Sequence, residues 1–350
     1  MIRVPASLAE TAIKALRKLQ LIDNRFELGR SNDEVVVPII REPSEIEVSK
    51  IPVDLGRIAL GKSVLLENRR RPKDLRDSVN GELSGSMLSR LPRSFDIIGD
   101  VAILELPHEL DDLADIVGKG VMRLNPRVRL VLRKFGDISG VYRTRNFEVI
   151  AGTGTTETVY REFSSNLRLD VASVYFNPRL SHERMRVASQ VKEQERVLDM
   201  FAGVGPYTIL IAKTQLSSVV YSIDINPQAF GYLKENLLLN HVADRVLPNL
   251  GDAREVVAKS FQGIADRVIM NLPSEAVNFI DVALLALQRR GGVIHYYSFA
   301  SRKDTIENVI ESIRKVIEGN GRTLQSVDFA KVLKEISSNR VQVALDLYVR

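Results

Sequence analysis

The chain has no cysteine among its 350 residues, which excludes disulfides, zinc fingers and iron–sulfur clusters. Its four histidines, His108, His182, His241 and His295, are scattered without metal-ligand spacing. Apolar residues make up 45% of the chain. They nowhere run for the roughly 18 consecutive positions that a membrane span needs. The opening stretch, Met1-Ile-Arg-Val-Pro-Ala-Ser-Leu-Ala-Glu, lacks the apolar core of a secretory leader. A cytoplasmic, metal-independent globular protein is expected, long enough at 350 residues for two or three domains. Nothing in the sequence argues for an oligomer, so a monomer is the expectation.

Glycine is concentrated where it matters most, in Asp199-Met-Phe-Ala-Gly203-Val-Gly205-Pro-Tyr-Thr. The segment follows the apolar pair Val197-Leu198 and leads into an apolar helical run from Thr208 to Ala212. A strand that ends in a glycine turn and feeds a helix lets a nucleoside approach the backbone closely. A dinucleotide site would want a third glycine to seat its pyrophosphate on the helix N-terminus. Thr208 stands in that place, and Asp199 sits at the strand end, where an acid suits an ammonium group. Both features favour S-adenosylmethionine over NAD.

The following residues extend the pattern. Val219 to Asp224 reads as the next strand, ending in an acid about 20 residues after the glycines, where a carboxylate accepts ribose hydroxyls. Asn226-Pro227 opens a helix that runs to Asn240. Val246 to Leu250 is a third apolar run, and Gly251-Asp252-Ala253 after it would bring Asp252 to an adenine amino group. Each acid taken singly also reads as a helix cap or a solvated turn residue. In this order they predict a nucleoside pocket lined by Asp199, Phe201, Ala202, Gly203, Val204, Gly205, Asp224, Ile225, Asp252 and Ala253, with Asn271 also at the cofactor.

Two further segments would carry chemistry. Arg267-Val-Ile-Met leads into Asn271-Leu272-Pro273, where a proline-stiffened turn fixes a side-chain amide beside the sheet's C-terminal edge. Methyltransferases of exocyclic amines often place an aromatic after such a turn; Ser274 stands here instead, which argues against simple amine methylation. Upstream, Tyr175-Phe-Asn-Pro-Arg179-Leu-Ser-His-Glu183-Arg184 combines an aromatic, an arginine and a glutamate at the start of a helix from Glu183 to Val191. Tyr175 would stack on a base, Arg179 hold a phosphate and Glu183 take a proton. The bland alternative for Glu183 and Arg184 is an exposed helix face.

Charge is unevenly spread although the net value is only +5. Residues 121–145 hold seven basic side chains (Arg123, Arg127, Arg129, Arg133, Lys134, Arg143, Arg145) against one acid, Asp137. Arg69-Arg70-Arg71-Pro72-Lys73 forms a second cluster. Such runs are usually solvated faces, but beside a nucleoside pocket they point to a polyanionic partner.

The periodicity predicts three parts. Residues 1–64 begin with an amphipathic helix (Leu8, Ala12, Leu16, Leu19). They continue into strand-like Val35 to Ile40 and Glu45 to Val48, then a helix from Val53 to Leu60. Residues 65–90 read as a linker or loosely ordered arm, with a second α+β module at 75–169. That module opens with a hairpin around Gly99-Asp100, followed by a helix near Glu109 to Gly118 and strands from Val128 onward. From Asp170 to Arg350 helices and strands alternate, as in an α/β, doubly wound Rossmann-like class I methyltransferase sheet whose last strands, near Thr323–Phe329 and Val341–Tyr348, form an antiparallel pair.

The chain resembles the archaeal and eukaryotic tRNA (guanine-37-N1)-methyltransferases. The resemblance rests on Tyr142-Arg-Thr-Arg-Asn-Phe-Glu-Val-Ile-Ala-Gly152, Asp170 through Arg184, Asp199 through Pro206, and Met270-Asn-Leu-Pro-Ser-Glu-Ala276. The segment from Val4-Pro5 to Val37-Pro38 resembles the family's small first domain. Ser181-His182 departs from the two small residues that members often carry. The resemblance implies catalysis by Glu183 (N1 proton), Arg143 (charge on O6) and Asn271, which would hold the guanine edge with the Pro273 turn. It also implies base contact by Tyr175, loop or phosphate contact by Arg179, and RNA contact by Arg145 and the basic 121–145 stretch. Transfer-RNA would be met at its anticodon stem-loop and, through the first domain, at its outer corner. Three other readings stand beside this one. They are methylation of a tricyclic wyosine precursor at the same nucleotide, a non-catalytic RNA-binding protein on a methyltransferase fold, and a dinucleotide oxidoreductase, which Thr208 disfavours.

Overall fold

The computed structural model describes residues 1–23, 26–31, 33–51, 59–60, 72–140, 142 and 144–350. Arg143, Arg69 to Arg71 and most of the helix expected over Val53 to Leu60 lie outside the described residues. The chain divides into two compact units, Met1–Lys73 and Asp74–Arg350.

In the first unit the predicted amphipathic helix spans Ala9–Lys18 and buries Ala9, Ala12 and Leu16. That stripe packs on a four-stranded sheet, where Ile2–Pro5 pairs antiparallel with both Glu34–Val37 and Ala59–Leu60. Ala59 and Leu60, expected in a helix, are thus a strand. Glu45–Val48, expected as a strand, is a helical turn. The reason is the glutamate half of a capping box: Glu47 accepts from the Ser44 backbone N–H (2.9 Å) and hydroxyl (3.0 Å), while the Ser44 carbonyl accepts from the Glu47 N–H at 2.9 Å.

The second unit begins with two short helices, Leu75–Ser78 and Gly85–Arg90, where a loose arm was expected. Leu75, Val79 and Leu83 recur four residues apart and are all buried, and the Asp74 carboxylate caps the first helix from Asp77 N at 2.8 Å. The hairpin around Gly99-Asp100 forms as predicted, Asp96–Ile98 against Val101–Leu104. The helix expected near Glu109 is a 3-10 turn, His108–Leu113, continuing into the α-helix Ala114–Leu124. Long strands Leu130–Ser139 and Thr144–Gly152 complete this sheet, and Glu157–Glu162 pairs with Ser165–Asp170 as a separate hairpin.

Seven strands then build the main sheet: β1 Arg196–Asp199, β2 Val219–Asp224, β3 Val246–Leu250, β4 Arg267–Met270, β5 Gly292–Ser301, β6 Leu324–Ser337 and β7 Arg340–Val349. Their order is β3-β2-β1-β4-β5-β7-β6. The first five are parallel, and β7 runs antiparallel to β5 and β6, as the sequence predicts. The flanking helices are α1 Ser181–Gln190, α2 Pro206–Thr214, α3 Pro227–Leu239, α4 Ala253–Ser260, α5 Ile280–Ala286 and α6 Ile306–Gly319. The parallel strands are apolar on both faces because helices cover both, giving two cores: one around Leu198, Met270 and Ile294, the other around Val197, Ile211 and Val220. The strand order reverses at β1/β4, so a crevice opens beyond the carboxyl ends of these two strands. Among the described residues, no helix is long and apolar enough to cross a membrane.

Candidate active site

The Asp199–Thr208 loop lies at that crevice. Gly203 (φ +56°) and Gly205 (φ +92°) adopt left-handed backbone, and a Cβ on Gly205 would come within 2.6 Å of Leu233 Cδ1. A Cβ on Gly203 would meet nothing nearer than the Tyr175 carbonyl at 4.0 Å, so that side of the loop is open. Asp224, at the end of β2, accepts the Gly203 N–H at 2.6 Å on one oxygen and the Asn226 N–H at 2.9 Å on the other. Each oxygen keeps a lone pair for a hydroxyl donor. Burial pushes the Asp224 carboxyl up. Asp252 caps α4 through one oxygen, accepting from Arg254 N at 2.8 Å, and its other oxygen has no bond among the described residues. Ala253 is buried beside it, Ile225 is 39% exposed, and Phe201 packs edge-on against Phe279 at 5.1 Å. Ala202 N donates to Ile223 O (2.8 Å) and Gly205 N to Ala202 O (2.9 Å), so buried Val204 sits in a loop tied to β2.

Asp199 gives the clearest test of whether the site fits a cofactor. One oxygen accepts the Thr208 hydroxyl at 2.9 Å, whereas the other is buried with no partner. Desolvation, countered by the Thr208 bond and reinforced by Asp224, pushes its carboxyl up to about 7. A cationic amino-acid end satisfies such an atom, so these residues fit S-adenosylmethionine. The folded-state value lies above the unfolded one near 3.9, so folding takes up a proton and this group's stabilisation is lost as pH rises from about 4 through 7. Ligand-free Asp199→Asn is therefore expected to melt above wild type at pH 8, with the gap closing near pH 4, and to lose the stabilisation that S-adenosylhomocysteine gives wild type. Melting curves at the two pH values check both; equal melting temperatures at pH 8 would overturn the desolvation argument.

The second part of the site is centred on α1. Glu183 is 7% exposed. Its Oε1 accepts from the Tyr297 hydroxyl (2.7 Å) and Arg186 Nη2 (2.6 Å), and its Oε2 accepts from Arg186 Nε (2.9 Å). It is therefore not an exposed helix-face residue. Arg184, its neighbour, is also buried, with bidentate bonds to Glu162 at 2.6 and 2.5 Å and one to Asn177 O at 3.1 Å. Glu183, Arg179, Leu180, His182 and Arg186 face Phe329, Lys331, Leu333 and Lys334 of β6 across a cavity of about 470 Å³. That size is in the range of about 300–1,000 Å³ that holds small ligands. Burial and nearby Arg179 hold the Lys334 ammonium below its usual range.

The other predicted site residues are placed as follows. Arg179 pairs with Asp96 at 2.6 Å, tying its loop to the preceding module. Tyr175 is 41% exposed, its carbonyl facing the glycine loop. Asn271 is half-buried one residue past β4 and has no hydrogen bond among the described residues. The Pro273 carbonyl accepts from Phe299 N at 3.1 Å, anchoring the Asn-Leu-Pro turn to β5. Arg145 is half-buried on the Thr144–Gly152 strand. The basic stretch is less free than its composition implies. Arg123 pairs with Glu82, Arg129 with Asp100, Arg133 with Asp111 and Glu148, and Lys134 with Glu105. Sequence reasoning missed Arg186, Tyr297, Asp346 and the β6 lysines. The available signals were Arg186 three residues after Glu183 on one helix face, and Asp346 as the one acid within the mostly apolar strand β7. No group of His, Asp and Glu among the described residues could hold a metal ion.

Residues 158–324 match the TRM5/TYW2 methyltransferase domain, 75–155 the TYW2 N-terminal domain and 2–47 the tRNA methyltransferase 5 N-terminal domain. The chain is 38% identical to the tRNA (guanine(37)-N(1))-methyltransferase Trm5b of Pyrococcus abyssi, covering 99% of this chain and 98% of the relative. It is 32% identical to the tRNA 4-demethylwyosine(37)-methyltransferase Taw21 of Saccharolobus solfataricus, covering 73% of this chain and 93% of the relative. A solved complex of aTrm5 with tRNALeu superposes with a TM-score of 0.82 at 28% identity, over 100% of this chain and 99% of that one. The chain belongs to the TRM5/TYW2 family of S-adenosylmethionine-dependent tRNA methyltransferases.

Proposed function

We propose that the chain methylates N1 of guanosine 37 in tRNA, with Glu183 as the general base. The observation that carries this reading is Glu183 itself: a buried carboxylate held by three donors on a cavity wall, with a lone pair of Oε2 unclaimed. N1 of neutral guanine bears a proton, so it becomes a nucleophile only as that proton leaves. Glu183 Oε2 takes the N1 proton while negative charge develops on O6. By family resemblance Arg143, which lies outside the described residues, would supply a charge-assisted donor to O6. Asn271 and the Pro273 turn hold the base edge, Tyr175 packs beside it, and Arg179 keeps the loop in register through Asp96. Bound S-adenosylmethionine supplies an electrophilic methyl whose C–S electron pair stays on sulfur as the N1–C bond forms. Asp199, Asp224, Asp252 and the Phe201–Gly205 loop would hold its amino-acid, ribose and adenine parts. The target base must leave its stack to enter the cavity. Arg127 and Arg145 are the arginines of the 121–145 stretch left without an ion pair among the described residues, and would meet phosphates.

The first domain favours guanosine over a wyosine precursor. Residues 2–47 match a tRNA methyltransferase 5 N-terminal domain, whereas the Taw21 relative is matched over 93% of its own length yet leaves about a quarter of this chain without counterpart. Labelled methyl transfer to unmodified tRNA transcripts with G or A at position 37, followed by nucleoside analysis, tests the reading. 1-Methylguanosine is expected with G37 alone. Cofactor binding without transfer to either transcript would point to the tricyclic substrate.

A further inference from the structure

Glu183 is one end of a buried chain of charges, and its far partners lie outside the reaction described above. Arg186 grips two carboxylates at once: Glu183, and Asp346 on β7 at 2.5 and 2.9 Å. Asp346 is 2% exposed and also accepts from Gln190 Nε2 (3.0 Å) and His295 Nδ1 (2.7 Å). An arginine can only donate, so Arg267 Nη1, 2.7 Å from His295 Nε2, makes that nitrogen the acceptor. His295 is then neutral with its proton on Nδ1, aimed at Asp346, and burial holds the imidazole below its usual range in the same sense. Arg267 is matched by Glu195 at 2.9 Å. The assembly therefore holds two arginines against three carboxylates, one negative charge in excess.

We propose that Asp346, acting through Arg186, is a positioning residue that sets the proton affinity of Glu183, with the Tyr297 hydroxyl as its counterweight. This rests on the reading of Glu183 as the base. A cation shared with nothing else would stabilise the Glu183 carboxylate and weaken it as a base. Because Asp346 claims the same guanidinium, Glu183 carries the excess charge, and one proton neutralises the assembly. That proton goes to Glu183 and not to Asp346. Asp346 has four donors filling its lone pairs, whereas Glu183 has three and borders the cavity. Tyr297, fully buried on β5, donates to Glu183 and favours its charged form. The remaining neighbours act on every variant alike. Arg184 is neutralised by Glu162, Tyr207 lies behind Tyr297, and the cations facing the cavity are Arg179, Lys331 and Lys334, with His182 beside them.

Two conservative variants of the full chain separate this from a merely structural role, because they act in opposite directions. Asp346→Asn frees the charge of Arg186 for Glu183. Its single-turnover rate on a G37 transcript is expected to fall about tenfold at the plateau, and the acid limb of the pH–rate profile to move about one unit lower. Tyr297→Phe removes a donor from Glu183, and the limb is expected to move higher. Affinities for the transcript and for S-adenosylhomocysteine are expected to stay close to wild type, because Asp346 does not line the cavity and Tyr297→Phe keeps the ring. Limbs that stay in place, or that move the same way in both variants, overturn the proposal; if Asp346→Asn does not fold, Asp346→Ser, which also frees the charge of Arg186, takes its place and must lower the limb. Failure of the underlying reading looks different: Glu183→Gln would then keep its activity, whereas here the enzyme would still need Glu183 and only the limbs would be unmoved.

Discussion

Glu183→Gln is expected to lower the single-turnover methylation rate by about 10²–10⁴-fold, the usual contribution of a positioned general base. Binding of S-adenosylhomocysteine should be unchanged. The substitution is nearly isosteric, and the amide oxygen still accepts from Tyr297 and Arg186, which hold the native carboxylate at 2.7 and 2.6 Å. Arg186 does not become an orphaned buried cation, because Asp346 remains bound to it. What disappears is the ability to take a proton. The limb set by Glu183 should give way to a slow reaction fed by the small fraction of guanine already deprotonated in solution, whose rate keeps rising with pH through the neutral range. Isothermal titration with S-adenosylhomocysteine and rapid-quench turnover on a G37 transcript check the two halves. A large loss of cofactor affinity would remove Glu183 from the base role and place it in the cofactor site.

Much of this site is legible in the sequence because its signals are local. The glycine loop, the acids ending β1 and β2, and the Asn271-Leu-Pro turn are each written within a few residues, and strand ends at a switch point bring them together. Local signals also explain two misreadings. Ser44 and Glu47 spell a capping box inside an otherwise β-like stretch, and Leu75, Val79 and Leu83 keep helical spacing in a polar segment that reads as an arm. What local patterns cannot supply is the partner of a charge. Arg186 meets Asp346 from 160 residues away, and Arg123, Arg129, Arg133 and Lys134 meet acids on other elements. A run of basic residues that reads as a polyanion surface thus also makes ion pairs within the chain. One further trace of the buried network is a mismatch: His295 and Asp346 are ionisable residues buried within strands that are mostly apolar. Polar residues in such strands must be paired.

Arg184→Ala is expected to cost about 3–5 kcal/mol of stability, because it leaves the Glu162 carboxylate buried without its cation. Both side chains are nearly inaccessible, at 2% and 4% exposure, and two bonds of 2.6 and 2.5 Å join them. At about 2–4 °C per kcal/mol for a unit of this size, the melting temperature should fall by roughly 10 °C. Replacing both partners together, as Arg184→Met with Glu162→Leu, should recover most of the loss, since an apolar pair needs no charge compensation. Activity should not recover with it. Arg184 also donates to Asn177 O at 3.1 Å, and Asn177 in turn accepts Arg179 N at 3.1 Å, so the guanidinium sets the turn that starts α1. Adjacent residues on α1 are thereby held from opposite sides: Arg184 by the 157–170 hairpin, Glu183 by β5 and, through Arg186, β7. Thermal melts and single-turnover rates of the single and double variants separate the two effects. A double variant as active as wild type would show that Glu183 is positioned by the Arg186 side alone.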